Sequence, residues 1–298
     1  MTMRLILVIS QMWRLSNMPK ISVDFTKGKR LFTHIVLVGA GGNGGYVIQQ
    51  VAQMLNIFDV WGKMVIADYD HYEEKNLANQ LCLRQDLERN KAEVLAKRYR
   101  SAYQVNIETY SASYIENVET LDNLFNRDYE GCHGRSTSYV PILISCVDNN
   151  FSRRVFHEYF EKVDNLLYID IGNEEVQVPN DFRIRSKDAW TEEELETYER
   201  SGFTGQLVCG LKINGNVISE PVASVFPDIL EDQDEIAPSE LSCTELAASN
   251  PQRVITNRYS ALAASTVLNE IFELGTVSTH KIFYHSKKGY MRSEPITQ

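Results

Sequence analysis

The chain has 298 residues, of which 43% are hydrophobic, and this is enough for the core of one large domain or of a domain with a sizeable insertion. Its 40 acidic residues outnumber the 30 basic ones, so the formal net charge is -10 at pH 7. Because nucleic acids are polyanions, this balance argues against nucleic acid as a main partner.

The cysteines and the first residues indicate where such a chain would work. The 5 cysteines are odd in number and never form a Cys-x-x-Cys pair, which favours a reducing, cytoplasmic setting over a structural zinc site. The apolar run from Leu5 to Ile9 is too short to span a membrane and lacks a small-residue cleavage site. We therefore expect residues 1–30 to be a poorly structured leader, and we expect no membrane partner.

An apolar run followed by a glycine cluster opens the ordered part of the chain. The β-branched residues from His34 to Val38 predict a buried parallel strand that ends at Gly39. Apolar residues at helical spacing then predict a helix over about residues 44–59, and residues 64–68 predict a second buried strand. Strand, glycine turn, helix and strand together form a βαβ unit.

The alternation of helices and strands continues after this unit. A charged helix is expected over residues 91–103, with strands around residues 105–110 and 141–145. The pattern predicts an α/β fold with a doubly wound, mostly parallel, Rossmann-like sheet, and residues 31–165 as its nucleotide-binding domain. Such sheets bind ligands at the carboxyl ends of their strands.

The pattern becomes less regular beyond residue 165. We predict that residues 166–298 continue the sheet and form a smaller, irregular C-terminal cap, with one of its strands at residues 175–178. The other predicted features of this part are a charged insertion (180–204), an acidic loop (227–240), a long amphipathic helix (252–274) that stops at Gly275, and a final hairpin.

The glycine cluster at residues 39–45, GAGGNGG, has the G-x-G-x-x-G spacing between a predicted strand and a predicted helix. Glycines let the backbone turn tightly and lie against phosphate oxygens, and the helix N-terminus supplies N–H donors. We therefore predict nucleotide contacts at Gly39, Gly41, Gly42 and Gly44. The motif alone does not distinguish an ATP-binding enzyme from a nicotinamide or flavin enzyme.

Two polar segments separate these alternatives. The segment DYDHYEEKNLANQ runs from Asp68 to Gln80 directly after the second strand, and Lys91 follows it. Dehydrogenases carry an acidic residue at the end of this strand, but they have no Asn-Leu-x-x-Gln after it. The second segment, ISCVDN at residues 144–149, ends a predicted strand and is followed by Arg153.

Together these motifs resemble those of ThiF, MoeB and the adenylation domains of ubiquitin-activating enzymes. In that superfamily the first polar segment reads Asp-x-Asp-x-Val-Glu-x-Ser-Asn-Leu-x-Arg-Gln...Lys, and the second reads Cys-x-Asp-Asn...Arg. The resemblance runs in order from about residue 34 to residue 155. Within the superfamily the chain is most similar to short bacterial members such as the ThiF-like component of PRTRC plasmid systems.

The resemblance implies ATP-dependent adenylation of the C-terminal carboxylate of a ubiquitin-like, β-grasp protein that ends in glycine, with ATP and Mg²⁺ as cofactors. It implies that Asp68 holds the ribose hydroxyls and that Asp148 binds the magnesium ion. Attack of a carboxylate on the α-phosphorus requires charge neutralisation and in-line placement, which a lysine and Mg²⁺ supply. The other implied nucleotide or catalytic contacts are Asp70, Asn76, Asn79, Gln80, Lys91 and Asn149.

Two positions depart from the family pattern. The family arginine before the glutamine is Asn79 here, which donates hydrogen bonds but brings no charge to a triphosphate, and the family glycine before the lysine is Glu88. Either Arg84 or an arginine of a dimer partner replaces that charge, or turnover is slow, or the chain binds nucleotide without activating anything. The alternatives to an adenylyltransferase are thus a non-catalytic nucleotide-binding scaffold and an NAD-dependent oxidoreductase.

Cys243 lies in the segment Ser-Cys-Thr-Glu before the long predicted helix, and this segment resembles the cysteine segment of ThiF and MoeB. A helix N-terminus lowers the pKa of a thiol, which makes Cys243 a candidate for covalent transfer; the alternative is a small packing residue. The resemblance also implies a homodimer and a downstream conjugating or sulfur-transfer protein. The apolar side of the long helix could supply the dimer interface.

Overall fold

The computed structural model describes residues 19–24, 30–125, 137–231, 237–240 and 251–297. The strands within these residues are β1 (Ile21–Ser22), β2 (Arg30–Val38), β3 (Gly62–Ala67), β4 (Ile107–Tyr110), β5 (Thr137–Ser145), β6 (Leu166–Asn173), β7 (Thr204–Ile213), β8 (Asn216–Ser219), β9 (Thr276–Val277), β10 (Thr279–His285) and β11 (Tyr290–Pro295). The helices are α1 (Gly42–Ile57), α2 (Lys91–Tyr103), α3 (Val118–Phe125), α4 (Asn150–Lys162), α5 (Glu192–Arg200), α6 (Val222–Val225), α7 (Asp228–Glu231) and α8 (Val254–Leu274).

Most of the described strands form one sheet in the order β11-β10-β7-β6-β5-β2-β3-β4, with β8 paired to β7. The neighbours from β6 through β5, β2 and β3 to β4 are parallel, and this order is that of a doubly wound Rossmann-like sheet. The strands β7, β8, β10 and β11 pair in antiparallel fashion and extend the sheet beyond β6. The predicted α/β fold class is therefore confirmed.

The central strand β2 is apolar along both faces because helices cover both sides of the sheet. Ile35 and Leu37 belong to a core cluster shared with α1, α2 and α8. Val36 and Val38 belong to a second cluster shared with α3 and α4. A strand buried on both faces cannot alternate apolar and polar residues, which is why the sequence shows a continuous run here.

The helices near the carboxyl end of β2 have ends that agree closely with the glycine and polar residues of the sequence. α1 begins at Gly42, within the glycine cluster and two residues before the predicted start, and α2 begins at Lys91, as predicted. α8 packs against α1 and ends at Gly275, whose left-handed backbone (φ 65°) suits glycine. No described helix is both long and apolar enough to cross a membrane.

Three segments differ from the sequence prediction. Residues 175–178 are not a strand, because β7 takes the place beside β6 while the backbone N–H of Val176 donates to the Pro251 carbonyl (3.1 Å). Within the predicted acidic loop, α7 forms because Ile229 is buried in the second core cluster. Within the predicted leader, β1 pairs with β9 and Val23 is buried; residues 1–18 and 25–29 lie outside the described residues.

Candidate nucleotide-binding site

A cleft of about 850 Å³ lies at the carboxyl ends of the parallel strands β2, β3 and β5. The segments that follow these strands form one side: the glycine cluster, the acidic segment from Asp68, and the turn around Asp148. Segments from later in the chain, at residues 182–183 and 251–252, line the other side. The cleft therefore lies where the strand order reverses, which is the position that the fold class predicts for a ligand.

The glycine cluster can approach a ligand closely because side chains are excluded from it. Gly39 has φ 92°, and a Cβ there would lie 2.9 Å from the Cys146 carbonyl oxygen. A Cβ at Gly44 would lie 1.9 Å from the Gly39 oxygen. Gly39, Gly41 and Gly42 line the cleft, whereas Gly44 packs beneath it. No side chain caps the N-terminus of α1 and its first turn has no acidic residue, so its N–H groups remain available to an anion.

Asp68 connects the glycine cluster to the end of β3. Its Oδ2 atom accepts a hydrogen bond from the Ala40 backbone N–H (2.6 Å), and its Oδ1 atom accepts one from the Asp70 backbone N–H (2.8 Å). Burial raises the pKa of Asp68, although the charge of Lys91 opposes this rise. A carboxylate can accept about four hydrogen bonds, so Asp68 retains acceptor capacity on the cleft wall for ribose hydroxyls.

Lys91 places a nearly buried positive charge on the same wall. Its side chain is 9% exposed, and its Nζ atom lies 3.0 Å from Asp70 Oδ2. The Tyr114 hydroxyl donates to Asp70 Oδ1 (2.5 Å). Burial would lower the pKa of Lys91, but the carboxylates of Asp68 and Asp70 outweigh this effect and raise it. Lys91 is therefore held in its charged form.

The same pair lowers the pKa of Asp70. Burial would raise that pKa, but the charge of Lys91 and the hydrogen bond from Tyr114 outweigh burial. Asp70 is therefore ionised, and it acts as the partner that positions Lys91. Tyr114 carries no sequence signal for this role, because it lies in an irregular segment far from the motifs.

Asn90 is a positioning residue that the sequence interpretation missed. Its Nδ2 atom donates to the backbone carbonyls of Asp68, Tyr69 and Asp70 (2.9, 3.2 and 3.2 Å), and its Oδ1 atom caps the first turn of α2. These bonds fix the start of α2, and hence Lys91, against the acidic segment. An asparagine directly before a predicted helix is the signal that would have found it.

The amides of Asn76 and Gln80 both line the cleft; Asn76 lies within a short 3-10 turn (Glu74–Ala78), and Gln80 follows that turn. Asn76 is buried, and its Oδ1 atom accepts a hydrogen bond from the Glu73 backbone N–H (2.8 Å). Gln80 lies beside Gly41, and its Oε1 atom is buried with no hydrogen-bond partner among the described residues. An orphaned polar atom beside the glycine cluster is expected where a bound ligand completes the network.

Arg84 does not supply the charge that Asn79 lacks. Asn79 lines the cleft, as predicted, and is half-buried. Arg84 is exposed, pairs with Glu74 at 3.1 Å and is not part of the cleft wall. This candidate was wrong. The cationic side chains that do line the cleft, among the described residues, are Lys75, Lys91 and Arg183.

Asp148 presents its carboxylate on the wall of the cleft that Lys91 also lines. It is exposed on the cleft wall, and no described residue donates a hydrogen bond to it. The neighbouring Asn149 is the N-cap of α4, since its Oδ1 atom accepts a hydrogen bond from the Ser152 backbone N–H (2.8 Å). Asn149 also lines the cleft, so a nucleotide contact would come from its Nδ2 group, because Oδ1 already caps the helix.

The donor set suits a magnesium ion that is shared with phosphate. Mg²⁺ is usually held by one or two carboxylates together with phosphate oxygens and waters. The described residues contain no group of three or more side chains that could form an all-protein metal site. Carboxylates also outnumber cations on the described cleft wall, so a triphosphate bound there would require a divalent cation. Asp148 is the residue that would hold it.

The described cysteines are poor candidates for covalent chemistry. Burial raises the pKa of Cys146 far above its ordinary value and raises that of Cys209 to about 12. Burial and Asp86 raise the pKa of Cys82. A thiol with a raised pKa forms little thiolate at neutral pH. The predicted nucleophile, Cys243, lies outside the described residues.

Comparisons with known proteins agree with this geometry. The model of the ThiF family matches residues 15–164. E. coli MccB with ATP is 15% identical to this chain. The alignment covers 93% of this chain and 65% of the MccB chain, with a TM-score of 0.53. E. coli MccB with AMPCPP and MccA is 14% identical, covers 93% of this chain and 66% of its own, with a TM-score of 0.53. PaaA is 12% identical; the alignment covers 89% of this chain and 64% of the PaaA chain, with a TM-score of 0.52.

At these identities the structural similarity shows a shared fold. This chain spans about 65% of the length of the solved MccB chain with ATP. A comparison with curated protein sequences gave no match.

Proposed function

This chain belongs to the ThiF family, and from that premise we propose that it is an ATP-dependent adenylyltransferase that activates the carboxylate of a peptide or protein. The observation that carries the proposal is the convergence of the glycine cluster, Lys91 and Asp148 on one cleft. A phosphate cradle, a fixed cation and a free carboxylate are the groups that adenylyl transfer requires.

In the proposed reaction, a carboxylate oxygen of the substrate attacks the α-phosphorus of ATP. The bond from that phosphorus to the bridging oxygen breaks, and pyrophosphate leaves with the bonding electrons. The products are an acyl-adenylate and pyrophosphate. Lys91 and the backbone N–H groups of the glycine cluster would stabilise negative charge on the phosphates, and Asp68 would bind the ribose. A magnesium ion held by Asp148 would neutralise further charge.

The proposed substrate is a ubiquitin-like protein with a C-terminal glycine. Support comes from the family resemblance of the motifs and from the solved MccB structures, in which ATP or AMPCPP and the second molecule MccA are bound to a similar fold. We further propose that the Cys243 thiolate attacks the acyl carbon, so that AMP leaves and a thioester forms. A homodimer and a downstream conjugating or sulfur-transfer protein complete this proposal, with the reaction in the cytoplasm.

One observation favours a second candidate, a nucleotide-binding scaffold that does not catalyse transfer. Asn79 brings no charge to the cleft, and Arg84 pairs with Glu74 and does not line the cleft. Catalysis of phosphoryl chemistry depends on charge neutralisation, so a site with one fewer cation could bind ATP without activating a carboxylate. An NAD-dependent oxidoreductase is less well supported, because Lys91 and Asp148 would have no role in hydride transfer.

ATP–pyrophosphate exchange tests the proposal. We expect exchange only when a ubiquitin-like protein ending in Gly-Gly is added, and we expect Lys91→Ala to reduce the rate by about a hundredfold or more. Lys97→Ala is the matched control, since Lys97 is exposed on the same helix and does not line the cleft. Absence of exchange with every such partner would contradict the proposal. ATP binding without exchange, combined with full biological function of Lys91→Ala, would favour the scaffold.

A further inference from the structure

A second pocket of about 320 Å³ adjoins the cleft, and the two share Pro251 and Gln252 as a common wall. Apolar and aromatic side chains form most of the rest of this side pocket: Val176, Tyr198, Phe203, Val254 and Ile255. Ile255 is 44% exposed at the first turn of α8, although it is a large apolar residue. The side pocket thus presents an apolar surface next to the candidate nucleotide site.

The Gln252 side chain belongs to the common wall and lies against the glycine cluster. A Cβ at Gly42 would lie 2.2 Å from Gln252 Oε1, so the Gln252 amide rests directly on the glycine cluster. The Oε1 atom is buried and has no hydrogen-bond partner among the described residues. A buried acceptor without a partner costs free energy unless a donor is supplied, and a backbone N–H of a bound polypeptide is such a donor.

Arg253 adds a positive charge to the lining of the side pocket. The guanidinium of Arg253 lies over the rings of Tyr198 (4.6 Å) and Phe203 (4.2 Å). It donates hydrogen bonds to the backbone carbonyls of Tyr198 and Ser201. Within the described part of the chain no carboxylate forms an ion pair with Arg253. Its position is therefore fixed while its charge remains uncompensated.

Two exposed lysines add to this charge. Lys187 Nζ lies 4.1 Å from the centre of the Tyr198 ring, and Lys287 Nζ lies 5.0 Å from that of Phe203. Lys287 donates to the Glu199 backbone carbonyl, and neither lysine pairs with a described carboxylate. Glu174 accepts three hydrogen bonds from Phe203 and Thr204.

We propose that the side pocket binds the segment of the substrate polypeptide that directly precedes its terminal carboxylate, and that this segment carries an acidic residue beside an apolar one. The apolar side chain would pack against Val176 and Ile255, and the acidic side chain would pair with one of the two lysines beside the aromatic rings, Lys187 or Lys287. A backbone N–H of the segment would donate to Gln252. Arg253 and the two lysines form no ion pair with a described carboxylate, so an acidic segment would supply their counter-charge.

A tail held in the side pocket would reach the cleft past Gln252. The proposal rests on the proposed function, because that function places the terminal carboxylate in the cleft. Binding of the tail does not itself require ATP. Tail recognition and adenylation can therefore be measured separately, so that one can fail without the other.

Fluorescence anisotropy with labelled peptides ending in Gly-Gly tests the side pocket on the full chain without nucleotide. The peptides differ only in the pair before Gly-Gly: Asp-Phe, Ser-Phe, Lys-Phe or Asp-Ser. We expect Asp-Phe to bind most tightly, and the double variant Lys187→Glu, Lys287→Glu to weaken its binding by about tenfold while strengthening that of Lys-Phe. Lys97→Glu carries the same kind of charge reversal away from both cavities and should leave the order of affinities unchanged.

Equal affinity for all peptides, or an order that survives the double charge reversal, would overturn the proposed pocket. Loss of the Asp-Phe preference in Lys97→Glu as well would show a general charge effect and would also overturn it. If the peptide preference holds but no peptide or protein supports pyrophosphate exchange, the docking surface stands and the proposed function fails.

Discussion

The guanidinium of Arg153 forms a buried ion pair with Asp170, with 3.2 Å between Arg153 Nε and Asp170 Oδ1. Arg153 also donates to the backbone carbonyl of Val147 (2.9 Å), the residue directly before Asp148. Asp170 lies in β6, so this pair attaches the turn that carries Asp148 to the neighbouring strand. Arg153 belongs to the family motif, and its contacts show a positioning role: it holds the backbone of the candidate magnesium site.

Replacement of Asp170 by asparagine should therefore destabilise the fold and disturb the site. Asp170→Asn preserves the shape of the side chain but leaves the buried Arg153 without a counter-charge, and we expect the free energy of unfolding to fall by about 3 kcal/mol. Urea unfolding measures this loss. Glu196→Gln, which removes an exposed partner of Arg200, is the control and should show no comparable loss. An equal effect of both substitutions would contradict the positioning role.

The contacts of Asn90 lead to a second prediction. Asn90→Ala removes both the cap of α2 and the three bonds to backbone carbonyls, so we expect a loss of about 1–2 kcal/mol in stability and a drop of about tenfold in pyrophosphate exchange. The exchange rate falls because Lys91 is no longer fixed against Asp70.

A different helix cap separates these two effects. The Asn117 side chain accepts a hydrogen bond from the Thr120 backbone N–H (2.9 Å) at the start of α3, away from the cleft wall. Asn117→Ala should lower stability to a similar extent and leave the exchange rate of the folded protein unchanged. If both variants lose exchange equally at a temperature where both are folded, the positioning role of Asn90 is wrong.

Local signals explain why the nucleotide-binding half of the fold could be predicted from the sequence. The buried strands are continuous apolar runs, and the glycine cluster marks the turn into α1, so β2, α1 and α2 were found with boundaries that differ by a few residues at most ends. β2 starts earlier than predicted, at Arg30, because its first residues still pair with β5 even though they are not all apolar. The sequence of one strand does not show which residues of another strand it pairs with.

The cleft residues from the later part of the chain could not be predicted, because only tertiary packing brings them close to the nucleotide-binding motifs. Gln252 and Arg183 reach the cleft from segments that carry no motif, and Tyr114 reaches Asp70 across 44 residues of sequence. The strand predicted at residues 175–178 is wrong for the same reason: Val176 lies beside Pro251 and Tyr198 instead of pairing in the sheet. Apolar alternation over so few residues does not distinguish these outcomes.

Restoring the family arginine at Asn79 provides a third prediction. Asn79 lines the cleft and carries no charge, so Asn79→Arg adds a cation that can form bidentate hydrogen bonds to phosphate. We expect the rate of pyrophosphate exchange to rise by about tenfold. Asn79→Gln, which lengthens the side chain without adding charge, should not raise it. A faster Gln variant, or an Arg variant with an unchanged rate, would show that charge at this position does not limit turnover.

His34 makes the stability of the protein depend on pH in a predictable direction. It is fully buried in β2, where its Nδ1 atom lies 2.6 Å from the Tyr139 hydroxyl. Burial, with a smaller contribution from Lys63, lowers its pKa from 6.5 to about 3. The folded protein therefore keeps His34 neutral between these values, while the unfolded chain takes up a proton. The free energy of unfolding must fall as the pH falls below about 6.5.

For one such group, the expected slope is about 1.4 kcal/mol per pH unit well below the unfolded pKa. Urea unfolding between about pH 7 and pH 5 measures it, above the range in which most carboxylates take up protons. His34→Gln lacks the titrating ring, so its stability should change less over this range even if it is lower throughout. If the two proteins lose stability in parallel as the pH falls, then His34 is protonated in the folded state and its burial does not cause the acid sensitivity.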